Sequence, residues 1–168
     1  MSSASITFAI RPVARNDRDG IQSLVRGLSP RSRYLRFLSQ IHELAPCWLE
    51  RFTRYVPGRE ATLLLVARSD DTEIPIGMVQ YATNDARGDC EFAVLVSDAW
   101  QGMGLGTRLV AHAIEIARAS GFIRIEGYVL RENTIMVHLA RRMGFKMLRD
   151  PDDPFGLRAS MALSMDHR

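Results

Sequence analysis

The hydrophobic positions of this chain change their period twice. A short apolar stretch, residues 6–10, reads as a first strand. Behind Asn16-Asp17, which offers an N-cap, Ile21, Leu24, Val25 and Leu28 recur every three or four residues and predict a helix. Ser29-Pro30 restarts a helix, serine at the cap and proline in the first turn, and this helix carries Tyr34, Leu35 and Phe37. A third is expected from Ala45-Pro46 through Trp48, Leu49 and Phe52. From Thr62 to Ala67 the helical period is lost, and a near-continuous apolar run marks a strand covered on both faces. Ser69-Asp70-Asp71 and residues 84–88 read as turns around two further strands, Ile76 to Tyr81 and Cys90 to Val96, together an antiparallel meander.

The helical period returns at positions 105, 109, 110, 113, 114 and 117, with Arg108, His112, Glu115 and Arg118 on the other face and Ser120-Gly121 at the end. Phe122 to Val129 reads as a strand and Asn133 to Met143 as a helix with Gly144 as its C-cap. Lys146 to Leu148 and Leu157 to Met165 read as final strands around Pro151-Asp152-Asp153-Pro154. A strand–helix–strand unit after an antiparallel meander predicts a mixed α/β (α+β) fold, and the length predicts one domain over residues 1–168.

Composition excludes more than it assigns. A chain of 168 residues, 46% hydrophobic and 24% charged, can bury a core without disulfide or metal staples. No apolar run approaches the roughly 18–20 residues of a membrane span, and no basic segment precedes the first apolar stretch as a secretion signal requires. Cys47 and Cys90 lie outside any Cys-x-x-Cys pair, and the four histidines show no metal-ligand spacing, so a metal-free protein of the reducing cytoplasm is expected. The net charge of +3 conceals a bias, 21 arginines against the single Lys146. Seven of them (Arg11, Arg15, Arg18, Arg26, Arg31, Arg33 and Arg36) fall early, without interleaved aromatics or a nucleic-acid motif. They predict no nucleic-acid partner and leave an anionic small ligand or an acidic protein surface open.

The sharpest chemical feature is Gln101-Gly102-Met103-Gly104-Leu105-Gly106-Thr107, between a strand and a helix. Glycines let backbone approach a ligand, and the free N–H groups of a first helical turn, backed by the helix dipole, suit a pyrophosphate. The plain alternative is a tight turn that packs the helix on the sheet. A dinucleotide fold fits poorly. Gly102 and Gly104 match Gly-x-Gly-x-x-Gly, and Glu126 lies at the distance of a ribose ligand. Thr107, however, stands where the third glycine belongs, and Ser97-Asp98-Ala99-Trp100 separates the strand from the glycines. A Walker loop is excluded, because no Gly-Lys-Ser/Thr follows.

Gln101-x-x-Gly104-x-Gly106 matches the Gln/Arg-x-x-Gly-x-Gly/Ala signature of the GNAT superfamily of N-acetyltransferases, which bind acyl-coenzyme A. Asn133 at a helix start and Gly144-Phe145 at its end resemble that family too. Within it the chain is similar to the acetyltransferase domain of bacterial protein-lysine acetyltransferases, through residues 29–37, Cys90-Glu91-Phe92-Ala93-Val94 and Pro151-Asp152-Asp153-Pro154. The resemblance implies the GNAT fold, a central mixed, mostly antiparallel sheet flanked by helices. It implies acetyl-CoA as co-substrate, no metal, and a primary amine as acceptor, in particular a protein lysine such as one on an acyl-CoA synthetase. It implies no membrane partner and leaves room for a homodimer. Val94, Leu95 and Val96 would then run along the pantetheine arm. Gln101, Gly102, Met103, Gly104, Leu105, Gly106 and Thr107 would surround the pyrophosphate, and Asn133 would touch the coenzyme.

An amine attacks a thioester only as the neutral base, and a lysine amine with a pKa of about 10.4 is almost wholly protonated at pH 7. A carboxylate near the acceptor can remove that proton. Glu91 is the candidate, since the resemblance implies a glutamate base on this strand; the alternative is a salt bridge to one of the arginines. Alternation sets Glu91, Ala93 and Leu95 on one face and Cys90, Phe92 and Val94 on the other, so Cys90 reads as core rather than nucleophile. Trp48 and Trp100 read as packing groups. Many GNAT enzymes have a tyrosine as general acid seven residues after the helix-opening asparagine, where this chain has Ala140. Arg31, Arg33 and Arg36 either face acidic patches beside a target lysine or brace the fold through local salt bridges. A small-molecule amine acetyltransferase and a non-catalytic acyl-CoA sensor are the competing readings.

Overall fold

The apolar run of residues 61–67 is buried along its whole length because side chains cover it on both faces. In the computed structural model, which describes residues 5–84 and 88–163, this run lies in β2 (Glu60–Ser69). It pairs antiparallel with β1 (Thr7–Pro12) and with β3 (Thr72–Asn84). β3 pairs antiparallel with β4 (Asp89–Val96). β4 pairs in parallel with β5 (Arg124–Leu130) through Asp89–Arg124, Cys90–Ile125 and Glu91–Glu126 alone. β7 (Asp153–Ala162) then lies antiparallel between β5 and β6 (Lys146–Asp150), so the sheet order is β1-β2-β3-β4-β5-β7-β6.

Two layers of helices close the sheet. On one face Ile21, Leu24 and Val25 of α1 (Arg18–Gly27) and Leu49 and Phe52 of α3 (Pro46–Phe52) pack on Leu64, Val66, Met78 and Leu95. α2 (Pro30–Phe37) lies on the same side, against β4. On the other face the six apolar positions of α4 (Leu105–Ala119), together with Val137 and Ala140 of α5 (Thr134–Arg142), pack on Leu63, Leu65, Val79, Phe92 and Ile125. Consecutive residues of β2 thus feed opposite cores, as strand geometry requires. Among the described residues no helix is long and apolar enough to cross a membrane.

Several expectations change. Asn16-Asp17 makes no side-chain cap for α1, because residues 15–17 form a short 3₁₀ turn. The Asp17 carboxylate instead accepts from Ala14 N at 2.7 Å and from Arg11 Nη1 and Nη2 at 2.8 Å. Arg11 also reaches Glu73 at 2.6 Å, which ties β1, the turn and β3 together. β3 starts earlier than the apolar pattern suggests, because a register shift opposite Leu65 and Val66 admits Pro75 into the strand, Val66 facing Pro75 and Leu65 facing Gly77. β7 likewise starts at Asp153 rather than Leu157. The expected turn at 84–88 and the expected strand end at Met165 fall partly on residues 85–87 and 164–165, outside the described residues.

The Asp17 network sets a pH dependence. Hydrogen bonds from Arg11 hold the Asp17 carboxyl below the usual carboxylate range, against the opposing effect of burial. A carboxyl with a depressed folded pKa contributes stability above its unfolded pKa of about 3.9, and that contribution is lost as pH falls through the folded value. Asp17→Asn is expected to destabilise the protein by about 1–3 kcal/mol at pH 7. The gap between wild type and variant should narrow below about pH 4. Urea titrations at pH 7 and at pH 3 measure both effects.

Candidate active site

β4 and β5 stay together only as far as Glu91 and Glu126, and beyond that pair they diverge. A cleft of about 650 Å³ opens in the gap, floored by Phe92 to Val96 and by Gly127 to Val129. The free edge of β4 has a defined parity. The Gly88 carbonyl accepts from Ile123 N on the β5 side, and Ser97 N donates to the Ile76 carbonyl on the β3 side. Alternation from these two anchors turns the backbone groups of Phe92, Val94 and Val96 toward the gap and those of Leu95 toward β3. Val94 and Val96 therefore offer main-chain groups to a ligand. Leu95 lines the cleft but commits its backbone to the sheet, against the expectation that all three residues pair with the pantetheine arm.

One end of the cleft is the glycine segment. Gly104 has φ 76° and is the N-cap of α4 without a side-chain cap, a left-handed conformation that glycine adopts at no steric cost. The first intrahelical bond in this turn is Arg108 N to the Gly104 carbonyl, so the N–H groups of Leu105, Gly106 and Thr107 have no acceptor within the helix. Those three residues line the cleft with Gln101, Gly102 and Gly104. Gln101 Nε2 donates to the Val96 carbonyl at 3.0 Å, which folds the loop back onto the end of β4. Met103 is half-exposed and stands outside the cleft wall. Asn133 lines the cleft and caps α5, its Oδ1 accepting from Met136 N at 3.2 Å.

α2 forms the opposite wall with Ser32, Leu35 and Arg36, continued by Leu28. Ser29 caps the helix as the sequence indicates. Asp98, just before the glycine segment, accepts from Ser29 N at 3.0 Å, from Ser29 Oγ at 2.8 Å and from Ser32 Oγ at 2.6 Å. Burial opposes ionisation of this carboxyl, and the hydrogen bonds outweigh it and hold the group below its usual range. Of the two readings open for Arg33 and Arg36, acidic patches of a partner or bracing of the fold, their contacts favour bracing. Arg33 is buried and donates to the Leu28 and Arg26 carbonyls. Arg36 donates to Gln80 Oε1 at 2.5 Å, and its guanidinium lies 4.8 Å from the Phe37 ring centre, with its pKa pushed down to about 10 by burial. Both brace the fold, through carbonyl and amide hydrogen bonds rather than salt bridges. Arg31 stays exposed, 3.7 Å from Glu132.

Glu91 sits at the apex where the strands part, exposed on the α2 side and two residues from Ala93, which lines the cleft. Its carboxylate forms no ion pair or hydrogen bond with a described residue, so the salt bridge considered as its alternative role is not made. Its neighbour Glu126 has that role, with Arg158 at 3.6 Å, Arg124 at 3.7 Å and Ser160 Oγ at 3.3 Å. Cys90 is fully buried and its thiol is pushed up to about 12, mainly by that burial. Ala140 is buried in the core. The tyrosine of the cleft comes instead from β5: the Tyr128 hydroxyl donates to Asp153 Oδ2 at 2.5 Å, which pushes the phenol up to about 12. The Tyr128 ring lies over Gly156, where a Cβ would stand 2.2 Å from the hydroxyl oxygen. Trp100 packs edge-to-face on Phe8 against the core, as expected, and also lines the cleft. Tyr128 and the Glu91–Glu126 pairing carry no local sequence signal, because strand register alone places them.

An open strand edge, an uncapped helix start at one end and a free carboxylate at the apex suit a long thioester whose phosphates rest on the helix. The acetyltransferase (GNAT) family matches residues 32–145. The chain belongs to this family. It is 33% identical over 144 residues to an acetyltransferase of Pseudomonas aeruginosa, covering 86% of this chain and 77% of that protein. It superposes on the GNAT domain of S. lividans PAT with a TM-score of 0.82 and 26% identity, over 92% of this chain and 89% of that one. It shares the fold of spermidine N-acetyltransferase from Vibrio cholerae, solved with CoA and spermine, at a TM-score of 0.73 and 17% identity over 93% and 95% of the chains. The mixed, mostly antiparallel sheet flanked by five helices is the GNAT fold expected from the sequence. The protein is thus a GNAT-family N-acetyltransferase using acetyl-CoA, and the dinucleotide reading falls away.

The cap and the cleft make separable demands on Asn133. Asn133→Ala is expected to lose about 1 kcal/mol of stability with the cap. Asn133→Ser keeps a capping oxygen and should stay within a few tenths of a kcal/mol of wild type. Both lose the side-chain amide donor, so acetyl-CoA affinity should fall in both. Thermal denaturation and calorimetry separate the two effects.

Proposed function

We propose that this GNAT enzyme transfers the acetyl group of acetyl-CoA to the side-chain amine of a protein lysine, by direct attack within a ternary complex, with Glu91 as general base. The observation that carries the reading is the unpartnered Glu91 carboxylate at the apex of the β4–β5 gap, with the arginine-paired Glu126 beside it. Pairing Glu126 with Arg124 and Arg158 neutralises the nearest like charge and leaves one free carboxylate for proton transfer. In this reading the neutral amine nitrogen bonds to the thioester carbonyl carbon and the C–S bond breaks. The amine proton passes to Glu91, and CoA departs as the thiolate. Val94 and Val96 hold the pantetheine arm through their free backbone groups. The N–H groups of residues 105–107, set by Gln101, Gly102 and Gly104, hold the pyrophosphate. Likeness to the S. lividans PAT domain supports a protein acceptor, and lysines on acyl-CoA synthetases are the first candidates.

The test measures CoA thiol release with a panel of acyl-CoA synthetases beside polyamines, aminoglycosides and free amino acids. Fast labelling of a protein lysine is expected. Rapid acetylation of a small amine, with proteins at chemical background, would replace the protein acceptor by a small one. Glu91→Gln keeps the shape and removes the base, so turnover should fall by about 10²–10⁴ with acetyl-CoA affinity little changed. Raising the pH should restore part of the variant's rate by deprotonating the amine in solution. A variant within twofold of wild type at neutral pH would exclude Glu91 as the base.

A further inference from the structure

Across α5 from the coenzyme cleft lies a second cavity, of about 330 Å³. Three arginines from three different elements line it: Arg131 after β5, Arg141 in the last turn of α5 and Arg149 on β6. None of the three side chains makes an ion pair or hydrogen bond with a described residue. Elsewhere Arg11, Arg26, Arg51, Arg54, Arg68 and Arg158 each sit against a carboxylate, whereas Arg15, Arg18, Arg108, Arg118 and Arg142 also lack a side-chain partner among the described residues, so the shared cavity is what sets these three apart. The carboxylate that feels Arg131, Asp153, is already held by the Tyr128 hydroxyl and by the N–H groups of Phe155 and Gly156. Three like charges lining one cavity, of which only Arg131 has a carboxylate near it, repel one another, and an anion held there removes that repulsion.

The shape and chemistry narrow the anion. Guanidinium forks match phosphate oxygens two at a time. Thr134, the first residue of α5, also lines the cavity and adds the positive end of that helix. From Thr134 to Arg141 the helix rises about 10 Å, longer than a single phosphate. Val137, Met147 and Leu157 supply an apolar floor. His138 borders both cavities, and α5 separates them. We propose that this cavity is a second anion site, distinct from the coenzyme cleft, that takes a phosphorylated small molecule with an apolar or aromatic body, of nucleoside diphosphate size.

The probe is ADP, titrated calorimetrically into protein saturated with CoA so that the glycine segment is already filled. One further equivalent is expected to bind, with a dissociation constant below about 1 mM at 0.1 M salt. The double variant Arg141→Gln, Arg149→Gln should weaken binding at least tenfold, while Arg118→Gln, an exposed arginine of α4 outside the cavity, should leave it unchanged. Inorganic pyrophosphate should bind with the same arginine dependence but more weakly, because it leaves the apolar floor uncovered. Circular dichroism and CoA binding confirm that the variants are folded. No binding to the CoA-saturated protein would overturn the proposal, as would equal binding by the double variant. ADP binding seen only without CoA would assign the pocket to the coenzyme. Binding of an acidic peptide with ADP inert would mark a protein contact and overturn the small-molecule site.

Discussion

Three residue pairs join the two halves of the sheet, and the pairing of β4 with β5 ends at Glu91 and Glu126. Phe92, the next residue, acts as a wedge. Its ring stands against Gly127, where a Cβ would come within 2.7 Å of it, and its centre lies 5.3 Å from that of Phe145. Closing the gap would need that ring to find another place in a packed core. Each half of the sheet is stable on its far side, through long antiparallel ladders, so the split can persist. Unpaired backbone polar groups are tolerated only where something else satisfies them. Gln101 already does this for the Val96 carbonyl, and the remaining groups of the edge stand ready for a ligand.

Charge is managed in keeping with this split. Glu91 and Glu126 face each other at the apex, and arginines neutralise one and leave the other free. Arg36 lies on the opposite wall, hydrogen-bonded to Gln80 and lying against the Phe37 ring, with no ion pair to a described carboxylate.

The parts that were legible in the sequence are those governed by local periodicity. All six apolar positions assigned to α4 are buried, Ser29 caps α2, and the alternation along β4 puts Cys90 and Phe92 in one core and Leu95 in the other. Gly102 and Gly104 are legible because their left-handed backbone favours glycine. What failed depends on partners distant in sequence. Asp17 looked like a cap until Arg11 and the Ala14 N–H claimed it. For Arg33 and Arg36 the sequence leaves two readings open, and helix phase decides between them by turning both toward carbonyls and Gln80. Thirty-five positions separate Glu91 from Glu126, and no spacing rule reports a parallel register formed through a crossover helix.

The Asp98 clamp has a consequence for how such an enzyme can diverge. One carboxylate fastens the start of α2, which walls the cleft, to the residues that lead into the glycine segment. The two walls therefore behave as one mechanical part. A substitution that removes Ser29 or Ser32 loosens both walls of the cleft at once. Changes beyond the first turn, at Leu35 for instance, can reshape that wall while the attachment stays intact.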